Sequence, residues 1–211
     1  MSRYVVIDLE MCRVPKAARC AEFPCANELI QIGAVLLNGR YEVEGTFMRY
    51  VKPSFGQVDQ YIERLTGITP RMLEDAPSAA QALAAFADWM PQDALLVTWS
   101  DNDTRQIGLE MTHKQIRSDA LSARIEDYID CQQLFSERMQ TPRLYRLFEA
   151  LAITDTVCTA REHDALEDAR NTAALFGRLQ EESRPVSKYL LTQEEMSARV
   201  IDPFRAARCA G

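Results

Sequence analysis

Tyr4-Val5-Val6-Ile7-Asp8-Leu9-Glu10 is the stretch on which the fold turns. It opens with four apolar or aromatic residues, rich in β-branched side chains, as in a buried strand from the middle of a sheet. Side chains alternate along a strand, so Asp8 and Glu10 point to one face at its C-terminal end. Two like charges side by side repel and desolvate each other, which costs free energy unless cations neutralise them. Hard divalent ions such as Mg²⁺ or Mn²⁺ prefer oxygen ligands and meet that need. An ordinary strand end running into a solvated loop shows the same Asp-x-Glu. The pair therefore gains meaning only if more carboxylates arrive at neighbouring element ends.

The 211 residues suffice for one α/β domain with a full core plus an appendage, but hardly for two independent domains. A hydrophobic fraction of 47% and a charged fraction of 26% are those of an ordinary soluble protein. No apolar run approaches the roughly 20 residues that span a bilayer, and the N-terminus reads as a core strand rather than a signal peptide. The expected location is cytoplasmic, with no membrane partner. Cys12, Cys20, Cys25, Cys131, Cys158 and Cys209 form no C-x-x-C pair and have no adjacent histidine, so they read as reduced thiols rather than a zinc site. A net charge of −7 excludes a large basic face for nucleic acid. It is compatible with an enzyme that grips a few nucleotides at one strand end, weakly and in a salt-sensitive way.

Outward from the first strand, residues 11–27 read as a loop broken by Pro15 and Pro24, with a helical turn near Lys16 to Cys20. A second strand follows from Glu28 to Leu37, then the hairpin signal Asn38-Gly39 and a third strand from about Tyr41 to Val51. The chain thus opens as an antiparallel meander. Leu65-Thr66-Gly67-Ile68-Thr69-Pro70 reads as a turn in which Thr69 caps a helix with Pro70 at its first position. A helix from Ser78 to Trp89 shows Ala82, Leu83 and Phe86 on one face. Ala94 to Trp99 is an apolar strand flanked by helices, hence parallel to a neighbour.

Ser100-Asp101-Asn102-Asp103 comes next and leads into a helix to about Lys114. Asp and Asn in that place serve as caps, yet one aspartate can cap while the other faces the strand end, where α/β sheets commonly place ligands. Helices are expected at Glu126 to Met139 and Pro142 to Leu151, the second carrying Leu144, Leu147, Phe148 and Leu151 on its apolar face; Arg143, Tyr145 and Arg146 can touch phosphate there, but solvated surface is the favoured reading. A strong helix former runs from near Asp164 to Glu182, with His163 just before it and Asp168 in its first turns. A histidine in that place can be a surface or capping residue, or can swing into a site. Beyond Arg184, Thr192-Gln193-Glu194-Glu195 has capping-box character and starts a short helix.

Asp8, Glu10, Asp103 and Asp168 with His163 make a coherent set for two-metal phosphoryl transfer, His163 having the unperturbed pKa nearest neutrality and hence serving as general base. Ile7-Asp8-Leu9-Glu10, Trp99-Ser100-Asp101-Asn102-Asp103 and His163-x-Ala165-x-x-Asp168 resemble, in order and interval, the three motifs of the DEDDh 3′-to-5′ exonucleases. Glu28-x-x-Gln31-Ile32-Gly33, Tyr50-Val51-Lys52-Pro53, Leu65 to Thr69 and Asp168-Ala169-x-Asn171-Thr172-Ala173 agree with it. The resemblance covers about Tyr4 to Leu179 and points to the Eri-1-like, histone-mRNA 3′-exonuclease-like branch. It assigns the metal role to Asp103, with Asp101 as fallback.

That resemblance implies an α/β, RNase H-like fold: a mixed five-stranded sheet, antiparallel meander first, with helices on both faces. The exonuclease domain would occupy residues 1–183, and a partly helical extension residues 184–211. It implies two Mg²⁺ or Mn²⁺ ions and stepwise release of nucleoside 5′-monophosphates from the 3′ end of single-stranded RNA or short oligonucleotides. Leu9, Met11, Trp99 and Ile68 would touch the terminal sugar and base. A DNA proofreading or repair exonuclease of the same fold and a non-catalytic nucleic-acid-binding module are the alternatives. Oligomeric state stays open, a homodimer included.

Overall fold

The computed structural model describes residues 2–156 and 163–180. The expected domain boundary, the extension over 184–211, the end of the last helix, Cys158 and Cys209 lie outside the described residues.

Five strands form one sheet in the order β3-β2-β1-β4-β5, as expected for a mixed sheet that opens with a meander. Strand β1 (Arg3–Arg13) is the middle strand, antiparallel to β2 (Asn27–Leu37) and parallel to β4 (Ala94–Thr98). Strand β3 (Val43–Tyr50) pairs antiparallel with β2, and β5 (Tyr128–Asp130) pairs parallel with β4. The alternation along β1 decides what covers each face. Val5, Ile7 and Leu9 enter one core with helix α3 (Ala79–Trp89), helix α4 (Asp101–His113) and Leu121 of helix α5 (Asp119–Glu126). Val6 enters the other with helix α6 (Cys131–Arg138), helix α7 (Leu147–Ile153) and helix α8 (Ala165–Gln180). Asp8 and Glu10 continue the Val6 side, so the acidic pair emerges where α8 packs.

Several elements depart from expectation. β1 runs on to Arg13, and only Lys16–Ala18 turns, as a short 3₁₀ segment. The hairpin is present, but the left-handed residue is Tyr41 (φ 63°) rather than Gly39. The Asn38 carboxamide oxygen accepts the Arg40 and Glu42 N–H groups, so the loop is longer than a two-residue turn. Helix α1 (Gln60–Thr66) precedes the expected turn. Asp59 caps it by accepting from Tyr61 N and Ile62 N, and Gly67 closes it at φ 76°. Thr69 and Pro70 then open helix α2 (Pro70–Leu73) as expected.

The helix expected over Glu126 to Met139 is three elements. Asp127 leaves the helical region, the β-prone pair Tyr128-Ile129 joins the sheet beside Leu96 and Val97, and Asp130 caps α6. The next helix starts at Leu147 rather than Pro142. Gln132 Nε2 and the Ser136 hydroxyl hold the Tyr145 and Arg143 carbonyls in the preceding segment, and Leu144 there is 59% exposed rather than part of an apolar face.

Candidate active site

β4 pairs with β1 only as far as Ile7, so past that point one edge of β1 is open. The N-terminus of α4 stands there, with Asp103, 6% exposed, in its first turn beside the Leu9 N–H. Asp101, two residues earlier, is exposed. The helix thus separates the two aspartates: Asp103 turns in toward Asp8 and Asp168, and Asp101 faces water.

The third carboxylate arrives on α8, and the chain's short motif on β2 explains how. A Cβ at Gly33 would lie 2.1 Å from the Ala165 carbonyl carbon, so only glycine lets the start of α8 rest on β2. Gln31, 1% exposed, accepts the Ala165 N–H through its side-chain oxygen at 3.2 Å. Asp164 caps the helix by accepting from Leu166 N and Glu167 N. One turn in, Asp168 is 6% exposed, and its Oδ2 accepts the His163 N–H at 2.9 Å. His163 sits in the left-handed region at φ 64°, a conformation that costs a β-carbon residue about 1 kcal/mol or more. That bend brings a ring nitrogen of His163 and carboxylate oxygens of Glu10 and Asp168 within 4.8 Å of one another.

Glu10 is 6% exposed and Asp8 half-buried. Burial, then the Asp168, Asp103 and Asp164 charges, push Glu10 up to about 8. Burial, then the charges of Asp103, Asp168, Glu10 and Asp164, hold Asp8 well above the usual carboxylate range. Asp103 is pushed up to about 7 by burial, against the lowering effect of the Leu9 N–H, with Asp101 and Asp168 adding repulsion. Three carboxyl groups that resist ionisation at neutral pH, beside a fourth, form a donor set suited to hard divalent cations.

Asp8, Glu10, His163 and Asp168 line a cleft of about 760 Å³. Leu9, Met11 and Trp99 line it. Ile68 does not: it is 2% exposed in a separate core with Cys12, Ile30, Ile62 and Leu73, because the turn after α1 points it inward. Leu65, on the last turn of α1, lines the cleft instead. The far wall is Arg146, Leu147 and Phe148, held by the Gln132 bond to the Tyr145 carbonyl. Arg146 is exposed, as expected, and borders the cleft because it stands just before the start of α7. Tyr145, expected on solvated surface, is instead 4% exposed against Phe135, because the segment before α7 is extended and turns its ring into the core. Trp99 is 8% exposed, and its indole N–H has no acceptor among the described residues.

The Cys12, Cys20, Cys25 and Cys131 thiols are free, and the described residues include no helix long and apolar enough to cross a membrane.

Comparison with known proteins places this geometry. ERI1 exoribonuclease 2 of Danio rerio is 30% identical over 200 residues, covering 82% of this chain and 34% of that protein. A PolC-type DNA polymerase III of Caldanaerobacter subterraneus subsp. tengcongensis is 28% identical over 161 residues, covering 76% of this chain and 11% of the polymerase. The 3′-5′ exoribonuclease 1 of Mus musculus is 25% identical, covering 80% of this chain and 52% of its own length. This chain therefore spans about a tenth to a half of these relatives. A full-length 3′-exonuclease shares the fold at a TM-score of 0.71 and 22% identity, covering 87% of this chain and 62% of that one. E. coli exonuclease I bound to a dT13 oligonucleotide does so at 0.63 and 16%, covering 94% of this chain and 46% of that one. The RNase T-type exonuclease family model matches residues 5–176. The chain belongs to that exonuclease family, and within it resembles the Eri-1-like branch.

Proposed function

We propose that this protein is a metal-dependent 3′-to-5′ exonuclease that releases nucleoside 5′-monophosphates from single-stranded nucleic acid, RNA in preference to DNA. The observation that carries the reading is that Asp8, Glu10 and Asp168 line one cleft, with His163 folded back against Glu10 and Asp168 and with Asp103 behind them, close enough for its charge to act on Asp8 and Asp168. Asp8, Glu10, Asp103 and Asp168 would hold two divalent ions, Mg²⁺ or Mn²⁺, which supply Lewis acidity at phosphorus and lower the pKa of the attacking water. His163 accepts a proton from that water as its oxygen attacks phosphorus. The bond from phosphorus to the 3′ oxygen of the penultimate nucleotide breaks, and that oxygen leaves as a hydroxyl after taking up a proton. Leu9, Met11, Leu65 and Trp99 bound the terminal nucleotide. The preference for RNA is supported by the exoribonuclease relatives; the polymerase relative is the reason to test DNA beside it.

The test is a time course on 5′-labelled RNA and DNA of one sequence, with Mg²⁺, Mn²⁺ or chelator. A metal-dependent ladder shortening from the 3′ end, faster on RNA, is expected. Internal cuts, or no cleavage of either strand with either metal, would overturn the reading. His163→Ala should lower kcat by about 10²–10⁴-fold while sparing metal binding measured by calorimetry. Parallel loss of metal binding would make His163 a ligand instead of the base.

A further inference from the structure

The catalytic cleft does not end at Met11. Asn27 lines both that cleft and a second hollow of about 470 Å³ next to it. β1 leads from one to the other: Arg13, three residues past Glu10 and so about 10 Å along an extended strand, lines the second hollow. Lys16 and Arg19 join it from the 3₁₀ turn and the residues after it. All three basic residues are exposed, and none forms an ion pair among the described residues. The acid facing them is Asp59, whose Oδ1 is occupied by two N–H groups of α1.

This is an unusual concentration for the molecule. The chain carries a net charge of −7, yet residues 11–27 hold three basic side chains against Glu22 alone. Beside the hollow, Tyr61 is 50% exposed, and the Arg13 guanidinium stands 4.7 Å from its ring centroid. Unpaired cations with an exposed aromatic ring are the two components with which proteins hold single strands: the cations track the phosphates, and the ring stacks with a base.

We propose that Arg13, Lys16, Arg19 and Tyr61 form a second nucleic-acid subsite, continuous with the cleft through Asn27, which holds the strand on the 5′ side of the nucleotide being removed. The inference rests on the exonuclease reading of the cleft and adds a dependence on substrate length. A dinucleotide fills the cleft without reaching Lys16 and Arg19, whereas a longer strand engages both sites. The local positive charge offsets the repulsion that an acidic protein otherwise exerts on phosphates arriving within a Debye length.

The test measures binding and turnover separately. Binding of a 5′-fluorescein single strand of about 12 nucleotides is followed by anisotropy with chelator present, for the full chain and for R13Q/K16Q/R19Q. The variant should bind about tenfold more weakly, with a dependence on log salt shallower by about 2, as expected for three lost phosphate contacts on a single strand. The ratio of kcat/KM for the oligomer to that for a dinucleotide should fall by a similar factor. Tyr61→Ala should weaken oligomer binding about fivefold, and Tyr61→Phe should restore it, since the ring is what stacks. Lys16→Glu, a single change at an exposed position, repeats the measurement should the triple variant unfold at a lower temperature. Equal binding and an equal length ratio in wild type and variants would overturn the subsite. If the unmodified chain cleaves neither substrate, the exonuclease reading fails, and the binding arm decides the subsite alone: no oligomer binding, or binding indifferent to all the substitutions, overturns it.

Discussion

Asp8→Asn separates what the acidic cluster costs from what it does. The substitution removes a carboxyl group whose ionisation is opposed by desolvation and by neighbouring acids, so the metal-free protein should gain about 1 kcal/mol or more, a few degrees in Tm, at neutral pH. Metal-dependent turnover should fall by about 10²-fold or more if, as proposed, Asp8 is a metal ligand. A variant that loses stability as well as activity would show that Asp8 has a structural partner. The same charges set a pH dependence. Glu10 rises from an ordinary 4.5 to about 8 and Asp103 from 3.8 to about 7 on folding, so between those limits the folded state binds more protons than the unfolded chain. Their contribution to stability is complete below about pH 4 and is lost as pH rises through 7 and 8, on the order of a few kcal/mol in all. In chelator, Tm should therefore fall from pH 5 to pH 8. Divalent ions compete with those protons, so the gain in Tm on adding Mg²⁺ should grow over the same interval. A Tm in chelator that rises with pH would contradict the repulsive cluster.

Gly33 shows how one residue on β2 positions an element. Gly33→Ala forces a Cβ to 2.1 Å from the Ala165 carbonyl carbon, so the start of α8 must lift, taking His163 and Asp168 with it. Urea unfolding should show a loss of about 2 kcal/mol or more, with activity falling further than stability accounts for. Gly108→Ala is the control: its nearest neighbour would be Ile125 Cδ1 at 3.6 Å, and in mid-helix alanine should be neutral or stabilise by about 0.5–1 kcal/mol. Elements whose signals are local were legible in the sequence. Ser78 accepts from Gln81 N, as capping chemistry dictates, and Thr69 with Pro70 stands at the head of α2, although the Thr69 side chain makes no capping bond. β5 was not legible, because three residues between two helices carry too little periodicity, and only the neighbouring β4 gives Tyr128 and Ile129 a reason to extend. α1 was hidden likewise: its Asp59 cap stands in the sequence, but the helix is seven residues long and most of its side chains face solvent.

On the scale of the whole molecule, periodicity could not bring the site together, since Glu10, Asp103 and Asp168 lie far apart in sequence and only the sheet order joins them. The motif residues were legible because each sits at an element end beside an apolar run. Leu65 was not, because its place at the cleft depends on where α1 begins and ends. The opposite end of α4 carries a second buried ionic group that ties the molecule together. Lys114 Nζ lies 2.6 Å from Glu28 on β2 and 2.6 Å from Glu110 on α4, both carboxylates 0% exposed. Glu28 also accepts the Ser54, Phe55 and Gly56 N–H groups, and Glu110 accepts the Leu29 N–H, so strand, helix and the loop after β3 meet at one ammonium. Lys114→Met would leave both acids buried without their cation and should cost about 3–5 kcal/mol. Adding Glu110→Gln should recover part of that loss, giving a coupling well outside the error of additivity in a double-mutant cycle. Turnover measured well below the transition should stay within about threefold, since Lys114 does not line the cleft. A loss under 1 kcal/mol for Lys114→Met would mean that water reaches Glu28 and Glu110 once the lysine is gone, and the core on that side of β2 would then be looser than its packing implies.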